Sequence, residues 1–233
     1  SLGISMYICM NVFVGGINTA FYDSTFSSMA HIRIYNDLPN DEPSLIPHTT
    51  NDTVQFIHNA RHIKYTEGIK DTQEIIQIAK GFPQVTAITE QVNQNVFFQN
   101  GITKISGYLS GIDVENEDKV FQTSKYMLKG NIYDLEKRND GIVLGSGLAE
   151  SICVNVGDNV MLMTADGTKK SFKVLGIFES GASATDKSKA MISIRSARQL
   201  FSKNASYASD IQINVKDFNK AEVVSSKMAK IVA

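Results

Sequence analysis

Two histidines stand four residues apart in the segment HNARH at 58–62, and at that spacing they would share one helix face, as paired zinc ligands do. The zinc-protease pattern needs a glutamate directly after the first histidine as general base. That position holds Asn59 and no third ligand can be named, so surface or loop histidines are the better reading of His58 and His62. Gly145 and Gly147 lie between a short apolar run and a helical pattern, where a dinucleotide loop would sit. The third glycine position is Glu150, whose carboxylate would face a pyrophosphate, so the pair reads as a structural turn. No serine occupies a recognisable nucleophile elbow. Cys9 and Cys153 read as apolar filling without a disulfide. With no base–nucleophile pair and no three-ligand set, the expectation is no catalytic residue, no metal and no cofactor.

The elements therefore carry more information than the reactive side chains. At 233 residues the chain is long enough for one large or two small domains. A formal charge of -1 leaves no basic stripe to neutralise phosphates, which argues against nucleic acid as a partner. Residues 2–17 are apolar and uncharged, yet shorter than the ~20 residues that span a bilayer, and they lack the charged start and cleavage site of a signal peptide. Ile32 and Ile34 alternate as in a half-buried strand. Residues 37–53 hold Pro39, Pro43 and Pro47 and read as a loop; 54–65 read as a short helix or a weakly ordered excursion. Asp71, with Glu74 three residues on, caps a helix whose stripe is Ile75, Ile78 and Ala79 and which ends by Gly81 and Pro83. Residues 85–99 are extended, though Asn93-Gln94-Asn95 weakens the middle, and Asn100-Gly101 turns the chain into 102–112.

The segment from Gly141 to Gly181 has the densest signals. Ile142, Val143 and Leu144 form a buried strand, and Leu148, Ala149 and Ile152 share a helix face. Val156-Gly157-Asp158 turns into Val160–Met163, and Asp166-Gly167 predicts a two-residue type I′ hairpin loop. The return strand alternates through Phe172, Val174, Gly176 and Phe178. Further on, Ile211, Ile213 and Val215 alternate as a strand, and Ala221, Val224, Met228 and Ile231 fall at helical spacing.

Taken in order, the first of these motifs are Met29-Ala30-His31-Ile32-Arg33-Ile34, Phe82-Pro83-Gln84-Val85 and Gly107 to Asp113. LG-x-x-LA at 144–149, VGD at 156–158, the DG hairpin, F-x-V-x-GIF at 172–178 and the Gly/Ala-rich loop before Asp186 follow. This ordered set resembles the extracytoplasmic domain of ABC transporter permeases of the MacB type and of the lipoprotein-releasing LolC and LolE type. The resemblance implies an α+β fold. A porter-like strand–helix–strand lobe would be built from 31–117 and 207–233, with a mostly β, sabre-like lobe from 118–206 inserted into it. Residues 1–30 would form the outer end of the first transmembrane helix and its extension. The start at Ser1 and a last helix without its following strand suggest continuation into the membrane on both sides.

The same resemblance implies a non-enzymatic transport subunit, with ATP hydrolysis on a separate or fused cytoplasmic module. Its partners would be a second permease subunit (identical or different), that cytoplasmic ATPase, the membrane, and a periplasmic carrier or adaptor. Its place would be the bacterial inner membrane, with this domain facing the periplasm or exterior, and the acceptor patterns at Asn51 and Asn204 would then be incidental. In LolC-type subunits a long hairpin hooks a lipoprotein carrier. Here the corresponding connection, Thr164 to Lys170, is too short for that, leaving a LolE-like partner subunit or a MacB-like exporter of peptides or toxins. The approach to His31 and the Gly-Ile-Asp segment favour lipoprotein release. Candidate contact residues are Phe21, Phe26 and Met29 on the exit helix, facing acyl chains or a partner subunit, and Asp166, Gly167, Lys169 and Lys170 at the hairpin tip. Ordinary packing and a solvated turn are the plain alternatives. A different class also fits the sequence: a membrane-tethered sensor domain that binds a small ligand or peptide.

Overall fold

The computed structural model describes residues 30–36, 68–69, 71–216 and 221–232; the apolar N-terminal stretch, the proline-rich loop, His58, His62 and Cys9 lie outside them. The first alternating segment forms β1 (Ile32–Tyr35), and the run near the C-terminus forms β9 (Asp210–Val215). They pair antiparallel, with Ile32 opposite Ile213 and Ile34 opposite Ile211. On its other edge β9 pairs with the first half of β2 (Val85–Asn100). Helices α1 (Thr72–Lys80) and α7 (Ala221–Val232) cover the isoleucine-bearing face, where Ile32, Ala79, Ile211, Ile213, Val224 and Met228 form a core. Asp71 starts α1 as expected, accepting the Gln73 N–H at 3.3 Å.

β2 then continues, without a break in its sixteen residues, into a second assembly. Its later half pairs with β3 (Thr103–Ile112) across a two-residue turn whose central residues are Gly101 and Ile102, with Gly101 at φ 57°. β3 runs parallel to β8 (Lys189–Ser193), and β8 antiparallel to β5 (Gly141–Gly145). β5 is parallel to β7 (Lys169–Phe178), β7 antiparallel to β6 (Asn159–Met163), and β6 returns to β2 at Phe97–Gln99. The six strands, β2 by its later half, thus close into a ring, and within the ring no strand keeps a long exposed edge. Alternation supplies the filling: Phe98, Leu109, Leu144, Leu162, Phe172 and Val174 are fully buried in one core. Leu148, Ala149 and Ile152 around α4 (Ser146–Ser151), and Ala197 and Leu200 of α6 (Ile194–Leu200), pack onto the same core.

The region between 114 and 140 holds α2 (Val114–Phe121), a 3-10 turn (Thr123–Tyr126), β4 (Met127–Gly130) and α3 (Asp134–Lys137). β4 pairs with β7, and Val114, Leu135, Val143, Phe178 and Met191 form a separate small core on the outside of the ring.

Three local expectations are corrected. The β7 alternation breaks at a bulge, because Ile142 and Val143 pair with Val174 and Gly176 and skip Leu175. Phe172, Val174 and Ile177 therefore join the ring core, while Phe178 and Leu175 join the outer one. The β6–β7 connection is not a two-residue type I′ loop: it spans Thr164 to Thr168, and Gly167 alone in it has positive φ, at 86°. A turn followed by a left-handed glycine tolerates Asp166 in ordinary backbone space. Cys153 is not core filling. It is exposed at φ 54°, just past α4, where Ile152 takes the buried position.

Candidate functional site

The hairpin between β6 and β7 carries the described candidates. The Thr164 N–H donates to the Thr168 carbonyl at 3.0 Å, and the Gly167 N–H to the Thr164 carbonyl at 3.1 Å. The hydroxyls of Thr164 and Thr168 both donate to Asp166, and those bonds, the Thr164 one foremost, hold its carboxyl below the usual carboxylate range. Asp166 and Gly167 are thus spent on shaping the turn. Lys169 is exposed and sits opposite Met163, which pairs in turn with Phe97. Lys170 is half-buried on the opposite side of the strand, its Nζ 5.4 Å from the centre of the Phe172 ring. Phe21, Phe26 and Met29 lie outside the described residues, so the structure brings only the hairpin set together.

Alongside Lys169 the outer wall of β6 and β2 presents Met161 and Phe97, each 37% exposed, with the Lys104 ammonium 4.1 Å above the Phe97 ring. This apolar centre with lysines on both flanks escaped the sequence reading. The signal was present: Phe98 and Leu162 point into the ring, so period-two alternation turns Phe97, Met161 and Met163 outward.

Earlier along β2, where β9 leaves it and the ring begins, the strand carries polar clamps on both faces. On one face the Glu90 carboxylate accepts the Thr72 hydroxyl of α1 at 2.7 Å and faces Arg198 Nη2 of α6 at 2.9 Å. That ion pair is close in distance but lies off the line of a hydrogen bond; Arg198 Nε donates instead to the Tyr207 carbonyl at 2.8 Å. On the other face, buried Glu117 of α2 accepts from Thr89 at 3.1 Å and from the Gln91 amide at 2.7 and 2.9 Å. The Asn93 amide bridges the Gln91 Oε1 and Asp210, and Asp210 receives Arg33 at 2.6 Å. One chain of contacts so joins α2, β2, β9 and β1.

Burial pushes the Glu117 carboxyl above its usual range; the charge of Lys189 and the bonds from Gln91 and Thr89 oppose the shift, and Asp113 adds to it. A folded-state value above the unfolded one means the native state holds this proton more tightly. The Glu117 contribution to stability is therefore fully present below the unfolded value, falls as pH rises towards the raised folded value, and is flat above it. Urea midpoints of wild type minus those of Glu117→Gln, taken from pH 4 to pH 8, are expected to show this fall. A difference that is constant with pH would contradict it.

The Gly145–Gly147 pair has a packing role. A Cβ on Gly145 would lie 2.3 Å from the Asp186 carbonyl oxygen, and one on Gly147 2.6 Å from Lys187 Cγ, because α5 (Ser183–Ser188) sits directly on the start of α4. Among the described residues no three His, Cys, Asp or Glu side chains gather as a metal would need, and no helix is long and apolar enough to cross a membrane.

The chain matches the MacB-like periplasmic core domain family over residues 1–231. It is 26% identical over 192 residues to the lipoprotein-releasing system transmembrane protein LolC of Buchnera aphidicola subsp. Schizaphis graminum, covering 78% of this chain and 44% of that protein. To LolC of Neisseria meningitidis serogroup B it is 27% identical over 140 residues, 56% of this chain and 34% of that protein. The chain thus spans less than half the length of these relatives. Two crystal structures share the fold. One is the periplasmic region of MacB from Actinobacillus actinomycetemcomitans, with TM-score 0.51, 12% identity, 72% of this chain and 75% of that one. The other is the extracellular domain of the noncanonic ABC-type transporter YknZ from Gram-positive bacteria, with TM-score 0.50, 13% identity, 68% of this chain and 80% of that one.

Proposed function

The chain belongs to the MacB-like periplasmic core domain family, and from that premise we propose that it is the extracytoplasmic part of an ABC transporter permease subunit in a bacterial inner membrane. It works there as a moving lever without catalytic side chains of its own, driven by a cytoplasmic ATPase and set against a second permease subunit. The observation that carries this reading is β2: one uninterrupted strand belongs both to the β1–β9–β2 sheet, where the chain arrives from residues 1–30, and to the closed ring. In this reading residues 1–30 include the end of a membrane helix, 31–117 and 207–233 form the porter-like lobe, and 118–206 contribute the sabre-like one. A displacement of the helix is carried along β2 to the outer wall of the ring.

The substrate class we propose is lipoprotein. The LolC name of the relatives supports it, and within that class a hairpin too short to hook a carrier unaided fits a subunit that works beside a second, different one. In that arrangement Phe21, Phe26 and Met29 face acyl chains or the neighbouring subunit. Lys169 and Lys170, with Asp166 and Gly167 shaping the tip, offer the contact for a periplasmic carrier or adaptor.

Two sets of substitutions in the full-length protein test the assignment. Phe21→Asp with Phe26→Asp is expected to abolish transport while the ATPase still co-purifies. Lys169→Glu with Lys170→Glu is expected to weaken the periplasmic contact about fivefold or more; Lys169→Glu alone, at an exposed position, is expected to change Tm little. Wild-type transport with all four changes together would overturn both surface assignments.

A further inference from the structure

Val114, Glu117 and Val120 stand three residues apart and make the buried face of α2. Each is 1% exposed, so an acid occupies the centre of a stripe that helical periodicity fills with apolar side chains. Among the described residues its hydrogen-bond donors, Thr89 and Gln91 of β2, are both neutral. A cation in their place would hold the carboxylate charged. Neutral donors in a dry seam leave much of the cost of a buried charge standing.

The charged groups around this seam are placed as follows. Lys189 of β8 favours the Glu117 carboxylate and Asp113, at the head of α2, opposes it. Asp210 of β9 is held by Arg33 and Asn93, and Glu90 lies on the other face of β2 with Arg198. Lys125 of the 3-10 turn bonds Gln122. On α2 itself Glu115 pairs with Lys119 on the exposed side, and Asp118 receives Ser124 and Tyr133. A further hold on the helix is neutral: the Asn214 amide of β9 donates to the Val120 carbonyl at 2.8 Å.

We propose that Glu117 is a proton-operated latch that docks α2 on β2 and β9. As the neutral acid it donates its proton to the Thr89 hydroxyl, 3.1 Å from Oε2, while Oε1 keeps the Gln91 amide at 2.7 Å. α2 then stays docked with no charge in the seam. Ionised, the carboxylate keeps its donors but carries a charge that burial disfavours, and local opening of α2 hydrates it. Acid therefore closes the latch and rising pH loosens it, the sense that a carboxyl pushed up by burial requires. α2 covers β2 where the sheet passes into the ring, so pH sets how firmly that passage is braced. Neither the burial of Glu117 nor its neutral donors depend on the transport reading, so either proposal can fail alone.

The test is NMR on the 233-residue chain with isotope-labelled glutamate carboxyls, from pH 4 to pH 8, together with amide hydrogen exchange expressed against the intrinsic rate at each pH. The Glu117 carboxyl is expected to titrate above the ordinary glutamate range. The amides of Glu117 and Gln122, which donate to the Asp113 and Asp118 carbonyls, are expected to lose about fivefold or more in protection as pH rises, while Phe98 and Leu109 in the ring core keep theirs. Glu117→Gln, which keeps the shape of the neutral acid, is expected to remove the change. A carboxyl that titrates in the ordinary range or below it, α2 protection constant with pH, a loss shared by Phe98 and Leu109, or the same loss in Glu117→Gln would each overturn the proposal. The titration and exchange of the wild-type chain decide the matter even where the variant fails to fold.

Discussion

Replacing Phe98 with alanine is expected to cost about 4 kcal/mol of folding stability, while the same change at the adjacent Phe97 costs less than about 1 kcal/mol. Phe98 is fully buried in the ring core, beside Leu109, Leu162 and Phe172, and truncation leaves a cavity that closed hydrogen-bonded strands cannot readily collapse to fill. Phe97 stands 37% exposed on the outer wall and loses mainly its contact with Lys104. Urea unfolding of both variants beside wild type checks the pair. Equal losses, or a larger loss at Phe97, would show that the ring does not hold its residues in this register.

The second large effect is expected at Arg198, whose side chain and that of Glu90 are 14% and 13% exposed. Arg198→Met strands the Glu90 carboxylate with the Thr72 hydroxyl as its hydrogen-bond donor and removes the donor to the Tyr207 carbonyl. Leaving one member of a largely buried pair costs about 3 kcal/mol, more than the intact pair contributes against an apolar replacement. Adding Glu90→Gln should recover part of that loss. A double-mutant cycle measures the coupling; an Arg198→Met change below about 0.5 kcal/mol, or one that Glu90→Gln makes worse, would contradict this account of the junction.

Local rules read much of this fold, and they failed where tertiary pairing decided the outcome. Ile32 with Ile34, and Ile211 through Val215, have one apolar face each, so period two identified them as strands. Which strand they would meet depends on register across 177 to 184 residues, and contacts such as Arg33 to Asp210 and His31 to Val215 leave no local trace. Ring closure was equally hidden, since it needs three pairs between β2 and β6 that no motif announces. The hairpin tip was found by its Asp-Gly, yet the turn type was wrong because Asp166 finds its partners in Thr164 and Thr168 within the loop itself. No motif marks Glu117. Its role follows from Thr89 and Gln91, which a β2 strand turns to the same side and which lie 28 and 26 residues away.

The central claim is that β2 moves the sheet and the ring together when the ATPase turns over. Spin labels at Gln73 on α1 and Thr168 at the hairpin tip, with Cys9 and Cys153 replaced by serine, report the distance within one chain of the full-length protein. Labels at the hairpin positions of both permease subunits report the distance between them. The account predicts that the distance between subunits changes between nucleotide-free and ATP-trapped states, while the Gln73–Thr168 distance stays fixed. A Gln73–Thr168 distance that changes with nucleotide would contradict it, because the two halves would then hinge across β2 instead of moving with it.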